Sequence, residues 1–164
     1  MEIGIASEAD IPVIKMLAEK TWPDSYAGII SRAQIRYMLD LIYSEAALKT
    51  QIQNGHRFIF ALDENIPVGF ASFSKKSSEE LKTFRLHKLY VLPTLHGKGI
   101  GVFLLNHIIE ESQTAGAKQL ELNVNKHNPA KLFYDRKGFT VLREEVLDIG
   151  EGYVMDDFVM VKKI

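Results

Sequence analysis

Apolar and polar residues alternate from Leu86 to Leu92, and from Val102 to Ile109 apolar residues recur every three to four positions. The first pattern predicts a β-strand, with Tyr90 and Val91 as strong strand formers, and the second a helix lasting to about Ala115. Pro93 has no N–H to give a ladder and closes the strand. Gly97, Gly99 and Gly101 fill alternate positions in between, so the segment reads as strand, glycine loop, helix.

The same periodicities run along the rest of the chain. Glu2 to Ala6 alternates as a first strand, and Ser7, Glu8 or Asp10 is placed to cap a helix that buries Ile11, Ile14, Leu17 and Ala18. The stretch from Thr21 to Gly28 breaks that period. Ile35, Met38, Leu39 and Ile42 predict a second helix from Ser31, with a continuation capped by Ser44 and ended by Asn54-Gly55. His56 to Leu62 and Val68 to Phe73 form a hairpin about Asp63-Glu64-Asn65, followed by a polar connection from Lys75 to Glu80. After the glycine helix come a strand (117–124), a short helix (129–137) ended by Gly138, and two strands joined across Asp148 to Gly152. The order β, α, α, β, β, β, α, β, α, β, β predicts an α/β fold. Its mixed sheet has helices on both faces, antiparallel at first and parallel near the glycine helix. One domain is expected to span residues 1–164.

Composition narrows the function. With 164 residues, 46% of them apolar and 25% charged, the chain can bury a real core, and a net charge of −1 gives no broad footprint for nucleic acid. The absence of cysteine excludes thiolate nucleophiles, disulfides and zinc–sulfur sites, and no metal role is expected. No apolar run approaches a membrane span and no signal segment opens the chain, so a cytoplasmic protein without a membrane partner is expected.

A helix that starts in a glycine loop presents unpaired N–H groups and a positive dipole end, a seat for phosphate. A Walker loop needs Ser or Thr after Gly-Lys, where this chain has Gly99. A dinucleotide fingerprint needs glycine where Val102 stands, and its ribose-binding acid at a strand end, whereas Glu121 falls inside the strand from Gln119 to Val124. His96-Gly97-Lys98-Gly99-Ile100-Gly101 instead resembles the (Gln/Arg)-x-x-Gly-x-(Gly/Ala) loop of the GNAT superfamily of N-acetyltransferases, with His96 departing at the first position. Asn128, Ala130, Tyr134, Gly138 and Phe139 resemble that superfamily's second signature, with Asn128 one residue closer to Ala130 than is usual.

That resemblance implies acetyl-CoA as cofactor and a sheet whose central strands splay apart after the glycine-loop strand. It places pyrophosphate on His96, Gly97, Lys98, Gly99, Ile100, Gly101 and Val102, and pantetheine along the backbone of Leu89, Tyr90 and Val91. Asn125, His127 or Asn128 is left to hold pantetheine from the other side, with Lys131 beside them. Direct attack by an amine in a ternary complex needs a neutral amine, a polarised carbonyl and a proton for the departing thiolate. The resemblance implies that the Val91 N–H, a Tyr134 phenol acting as general acid and His87 as base, on one strand face with Leu89 and Val91, meet those needs. A water chain would serve in place of His87, which is otherwise a strand histidine, and Tyr134 is otherwise a core tyrosine. Two stretches, Thr21 to Tyr26 and Ile149 through Met160, resemble bacterial spermidine/spermine N-acetyltransferases, which implies Trp22, Tyr26 and Glu151 at the acceptor. The last hairpin is also acidic, drawing a polycation or merely guarding an edge. The acceptor is expected to be a small-molecule amine, a polyamine first, with a protein N-terminus, a lysine or a xenobiotic amine behind it; a homodimer is left open. The rival readings are a non-catalytic acyl-CoA sensor and a nucleotide-dependent oxidoreductase.

Overall fold

The computed structural model describes residues 1–76 and 82–164. The polar connection expected after Lys75 lies, from Ser77 on, outside the described residues. Seven strands form one mixed sheet: β1 (Glu2–Ile5), β2 (Arg57–Asp63), β3 (Ile66–Lys75), β4 (Thr83–Val91), β5 (Gln119–Asn125), β6 (Thr140–Gly150) and β7 (Tyr153–Lys163). Their order is β1-β2-β3-β4-β5-β7-β6, and among the described residues only β4 and β5 run parallel. A parallel neighbour requires a crossover, which α4 (Ile100–Thr114) supplies.

Alternation along the strands sends side chains into two cores. Ile59, Ala71, Leu86, Leu120 and Leu122 pack with Leu104, Leu105 and Ile108 of α4 and with Tyr134 of α5 (Ala130–Arg136). On the other face Phe58, Phe60 and Phe70 pack against α1 (Ile11–Ser25), α2 (Arg32–Tyr43) and α3 (Glu45–Gln53). The helix starts follow their caps: Ser31 Oγ accepts from the Gln34 N–H at 3.0 Å and Ser44 Oγ from the Ala47 N–H at 3.2 Å. The first hairpin turns on Glu64 and Asn65, both at positive φ, the geometry of a two-residue turn.

Two local expectations fail. The first helix does not break at Thr21 but runs through Pro23 to Ser25. Proline loses the ladder bond to Glu19, but burial of Trp22 and Tyr26 and the Tyr26 N–H bond to the Trp22 carbonyl hold the last turn. The regular alternation of β4 also fails. Ser72 pairs with Lys88 and Phe73 with Leu86, so His87 is the extra residue of a β-bulge.

Candidate active site

That bulge sits where the sheet opens. Parallel pairing of β4 with β5 ends at Leu86 and Leu122, and beyond it His87 to Val91 and Asn123 to Asn125 draw apart. The gap is the floor of a cleft of about 500 Å³. The Leu92 N–H donates to the Val68 carbonyl at 2.9 Å, which sets the phase of the ladder to β3. Residues 88, 90 and 92 therefore bond toward β3, and the main-chain groups of Leu89 and Val91 point across the gap. His96 Nε2 bonds the Val91 carbonyl at 2.9 Å, so on this wall the Val91 N–H remains open.

The glycine loop forms the end of the cleft. Gly97 and Gly99 sit at φ +81° and +80°, and a Cβ on either would meet nothing within 4 Å, so both face open space. Gly99 caps α4 without a side-chain bond, and the first intrahelical donor is the Phe103 N–H to the Gly99 carbonyl at 2.9 Å. The amides of Ile100, Gly101 and Val102 are thus the orphan donors of a helix start. His96, Gly97, Gly99, Ile100 and Gly101 line the cleft, while Lys98 and Val102 do not.

The far wall comes from β5 and α5. Asn125 Oδ1 accepts from the His127 N–H and Asn128 Oδ1 from the Ala130 N–H, both at 2.9 Å. Each oxygen shapes a turn, which leaves the amide NH₂ groups for a ligand, and both asparagines line the cleft. Lys131 is turned away, bonded to Asp135 at 2.8 Å and over the Phe158 ring. Tyr134 lines the cleft, and its ring packs edge-on to Phe133 and Phe139. Burial first, and Tyr26 after it, push its phenol upward, so it keeps its proton at neutral pH. Its hydroxyl has no hydrogen-bond partner among the described residues.

His87 lines the cleft but does not share the face of Leu89 and Val91. The bulge turns it toward His56, whose ring stacks on it at 4.0 Å, and its Nε2 bonds Ser74 Oγ at 2.7 Å. Burial first, then His56, Lys88 and Arg85, lower it to about 3, a weak base. Tyr26 lines the cleft from the end of α1, its hydroxyl 3.0 Å from that of Tyr90. Trp22 is one layer behind, 3% exposed, with its indole N–H on the Tyr43 hydroxyl at 3.1 Å, so it supports Tyr26 rather than facing the cleft. Glu151 is exposed in the β6–β7 turn at φ +55°, outside the cleft lining. Sequence reasoning missed Asn123, which lines the cleft, and counted Asp157, beside it, only among the acidic residues of the last hairpin. Their strand positions were legible, but the register that joins them was not.

A split sheet, a glycine-started helix aimed into the split and a tyrosine on the opposite wall together match a known arrangement. The family model for the acetyltransferase (GNAT) domain matches residues 27–154. The chain belongs to the GNAT acetyltransferase family. It is 26% identical over 157 residues to an uncharacterised N-acetyltransferase of Mycobacterium bovis, covering 94% of this chain and 98% of that one. It is also 26% identical over 169 residues to the spermidine N(1)-acetyltransferase of Thermoplasma acidophilum, covering 99% and 97%. The crystal structure of the PaiA N-acetyltransferase from Thermoplasma acidophilum in complex with coenzyme A superposes with a TM-score of 0.81 at 26% identity over the whole of both chains. This GNAT protein is an acetyl-CoA-dependent N-acetyltransferase. The cleft fits that cosubstrate: orphan amides and open glycines for phosphates, and unpaired strand backbone for an amide-bearing arm.

Proposed function

We propose that the protein acetylates a primary amine by direct attack in a ternary complex, and that the acceptor is a polyamine. The observation that carries this reading is the gap between β4 and β5, with an open Val91 N–H on one wall and the Tyr134 hydroxyl on the other. Bound acetyl-CoA supplies the acetyl group as a thioester. The amides of Ile100, Gly101 and Val102 hold its phosphates, and the Leu89 and Val91 backbone with the Asn125 and Asn128 side chains holds the pantetheine. The Val91 N–H polarises the carbonyl oxygen as charge grows on it. Tyr134 gives its proton to the sulfur as the C–S bond breaks, and a solvent chain through the cleft takes the proton of the amine.

His87 is assigned a structural role in place of the base role, since its ring is engaged and only weakly basic. The polyamine reading is supported by the spermidine-acetylating relative and by acidic side chains on the acceptor side of the sheet, Glu145 and Asp157. The test follows thiol release from acetyl-CoA over a panel of amines: spermidine, putrescine, n-butylamine, a lysine peptide and a peptide with a free N-terminus. Polyamines should give the highest kcat/KM. A better peptide substrate would overturn the polyamine assignment, and tight acetyl-CoA binding without turnover of any amine would favour a sensor.

A further inference from the structure

Asp157, on β7, is 5% exposed, and its two carboxylate oxygens are unequally served. Oδ2 accepts from Asn123 Nδ2 at 3.3 Å, while Oδ1 is buried with no partner among the described residues. Glu145, its cross-strand neighbour on β6, accepts from the same Asn123 amide at 2.8 Å. The nearby cations are engaged elsewhere. Arg85 divides its guanidinium between Glu121 at 2.8 Å and Asn123 Oδ1 at 2.7 Å, and Lys76 bonds Glu121 at 2.9 Å. Two carboxylates therefore share one neutral amide, and a buried acceptor is left unmade, which costs stability in the ligand-free chain. Burial first, with Glu145 and Asp156, pushes Asp157 upward against the opposing Asn123 bond and the Arg85 charge. Among the described residues no cation bonds its carboxylate directly.

Two features connect this carboxylate to the cleft. Its cross-strand partner Asn125 and its hydrogen-bond donor Asn123 both line the cleft. Tyr26 lines the cleft, bonds Tyr90 of β4 at 3.0 Å and is near enough for the Asp157 charge to act on its hydroxyl, which puts the carboxylate within electrostatic reach of the strand where the carbonyl is polarised. The separation is too large for Asp157 to deprotonate the attacking nitrogen. Strand β5 lies between β4 and β7, and two strand spacings, about 10 Å, are the least that separates them where β4 and β5 draw apart. A carboxylate pair would also keep a bound amine protonated and unreactive.

Resting on the transferase reading above, we propose that Asp157, with Glu145 and Asn123, seats a second, non-reacting ammonium of the acceptor. The preferred acceptors are then linear aliphatic diamines and polyamines, lying along Tyr26 with one nitrogen on β7 and the other presented at β4.

The experiment compares putrescine with n-butylamine, which has the same carbon chain and a single nitrogen. At saturating acetyl-CoA the parent should favour putrescine in kcat/KM by about tenfold to a hundredfold, the range of a hydrogen-bonded charge. Asp157→Asn should lose that preference through KM for putrescine and leave n-butylamine and the coenzyme A affinity as they were. Glu145→Gln should move the same quantity in the same direction by less. Calorimetry of putrescine on the coenzyme A-loaded protein reads the seat without turnover, and Asp157→Asn should bind it at least tenfold more weakly. The variant removes an unpaired buried charge, so its Tm without amine should not fall below the parent's. A parent without diamine preference, or an Asp157→Asn protein that binds and acetylates putrescine like the parent, overturns the seat while leaving the transferase. Asp157-dependent putrescine binding with no acetylation of any amine sinks the transferase reading and keeps the seat.

Discussion

Tyr134 and His87 part company at the scale of single residues. Tyr134 offers a hydroxyl to the cleft from a ring held by Phe133 and Phe139, so Tyr134→Phe should fold and bind acetyl-CoA like the parent. Its kcat should fall by about a hundredfold with KM nearly constant, the signature of a proton given only in the transition state. Because the phenol is raised, no alkaline limb below pH 10 should belong to it. His87→Gln should keep kcat, and its effect should appear in stability instead. The folded His87 has its affinity for a proton lowered to about 3, while the unfolded one binds near pH 6.5. The unfolded state thus takes up more protons, and stability falls as pH drops from about 6.5 toward 3. His56, also lowered by burial first, adds to the same trend. The Tm lost between pH 7 and pH 4.5 should therefore be smaller in His87→Gln than in the parent. A variant that instead lost the acidic limb of its pH–kcat/KM profile would restore the base role. Identity and position of Tyr134 were legible in the chain because the signature fixes them. The aim of His87 was not, since one extra residue in a strand reverses every side chain beyond it.

Elements carry the next level of control, and the two cleft walls show how much of it periodicity encodes. The strand before the loop, the glycine helix and the caps at Ser31 and Ser44 follow from local chemistry and stand where the pattern puts them. The bulge in β4 and the helical turn through Pro23 do not, because tertiary burial decides both. Within the loop the glycines differ. Gly99 occupies the left-handed region, so Gly99→Ala should lower stability by about 1–2 kcal/mol and weaken coenzyme A by placing a methyl where phosphate approaches. Gly101 is helical, and a Cβ there would sit 3.6 Å from Leu89 and 3.7 Å from Phe133, ordinary contact distances. Gly101→Ala should fold as well as the parent or better, through helix propensity. Thermal melts and coenzyme A titrations of the two variants check the contrast. Equal behaviour would mean that the loop conformation is unrelated to binding.

At the scale of the whole molecule the sheet is two sheets joined at one short seam. Strands β2 to β4 and β5 to β7 are each knit by long antiparallel ladders, while β4 and β5 share only the four pairs from Thr83–Gln119 to Leu86–Leu122. The rest of the junction rests on α4 and α5 against the common core, and on whatever fills the gap. A cosubstrate lodged there bonds both halves at once, so its binding energy is also energy of the junction. At 100 times its Kd it should stabilise the fold by about 2.7 kcal/mol. For a chain of this size that is a rise in Tm of roughly 5–10 °C. NADH, lacking the pantetheine arm that spans the gap, should do much less, and a larger shift with NADH would remove the cofactor assignment. Hydrogen exchange locates the effect. The N–H groups of Leu89 and Val91 face the gap, whereas those of Tyr90 and Leu92 already bond β3. Coenzyme A should slow exchange at 89 and 91 far more than at 90 and 92. Uniform slowing along β4 would mean that the ligand stabilises the protein without lying in the split.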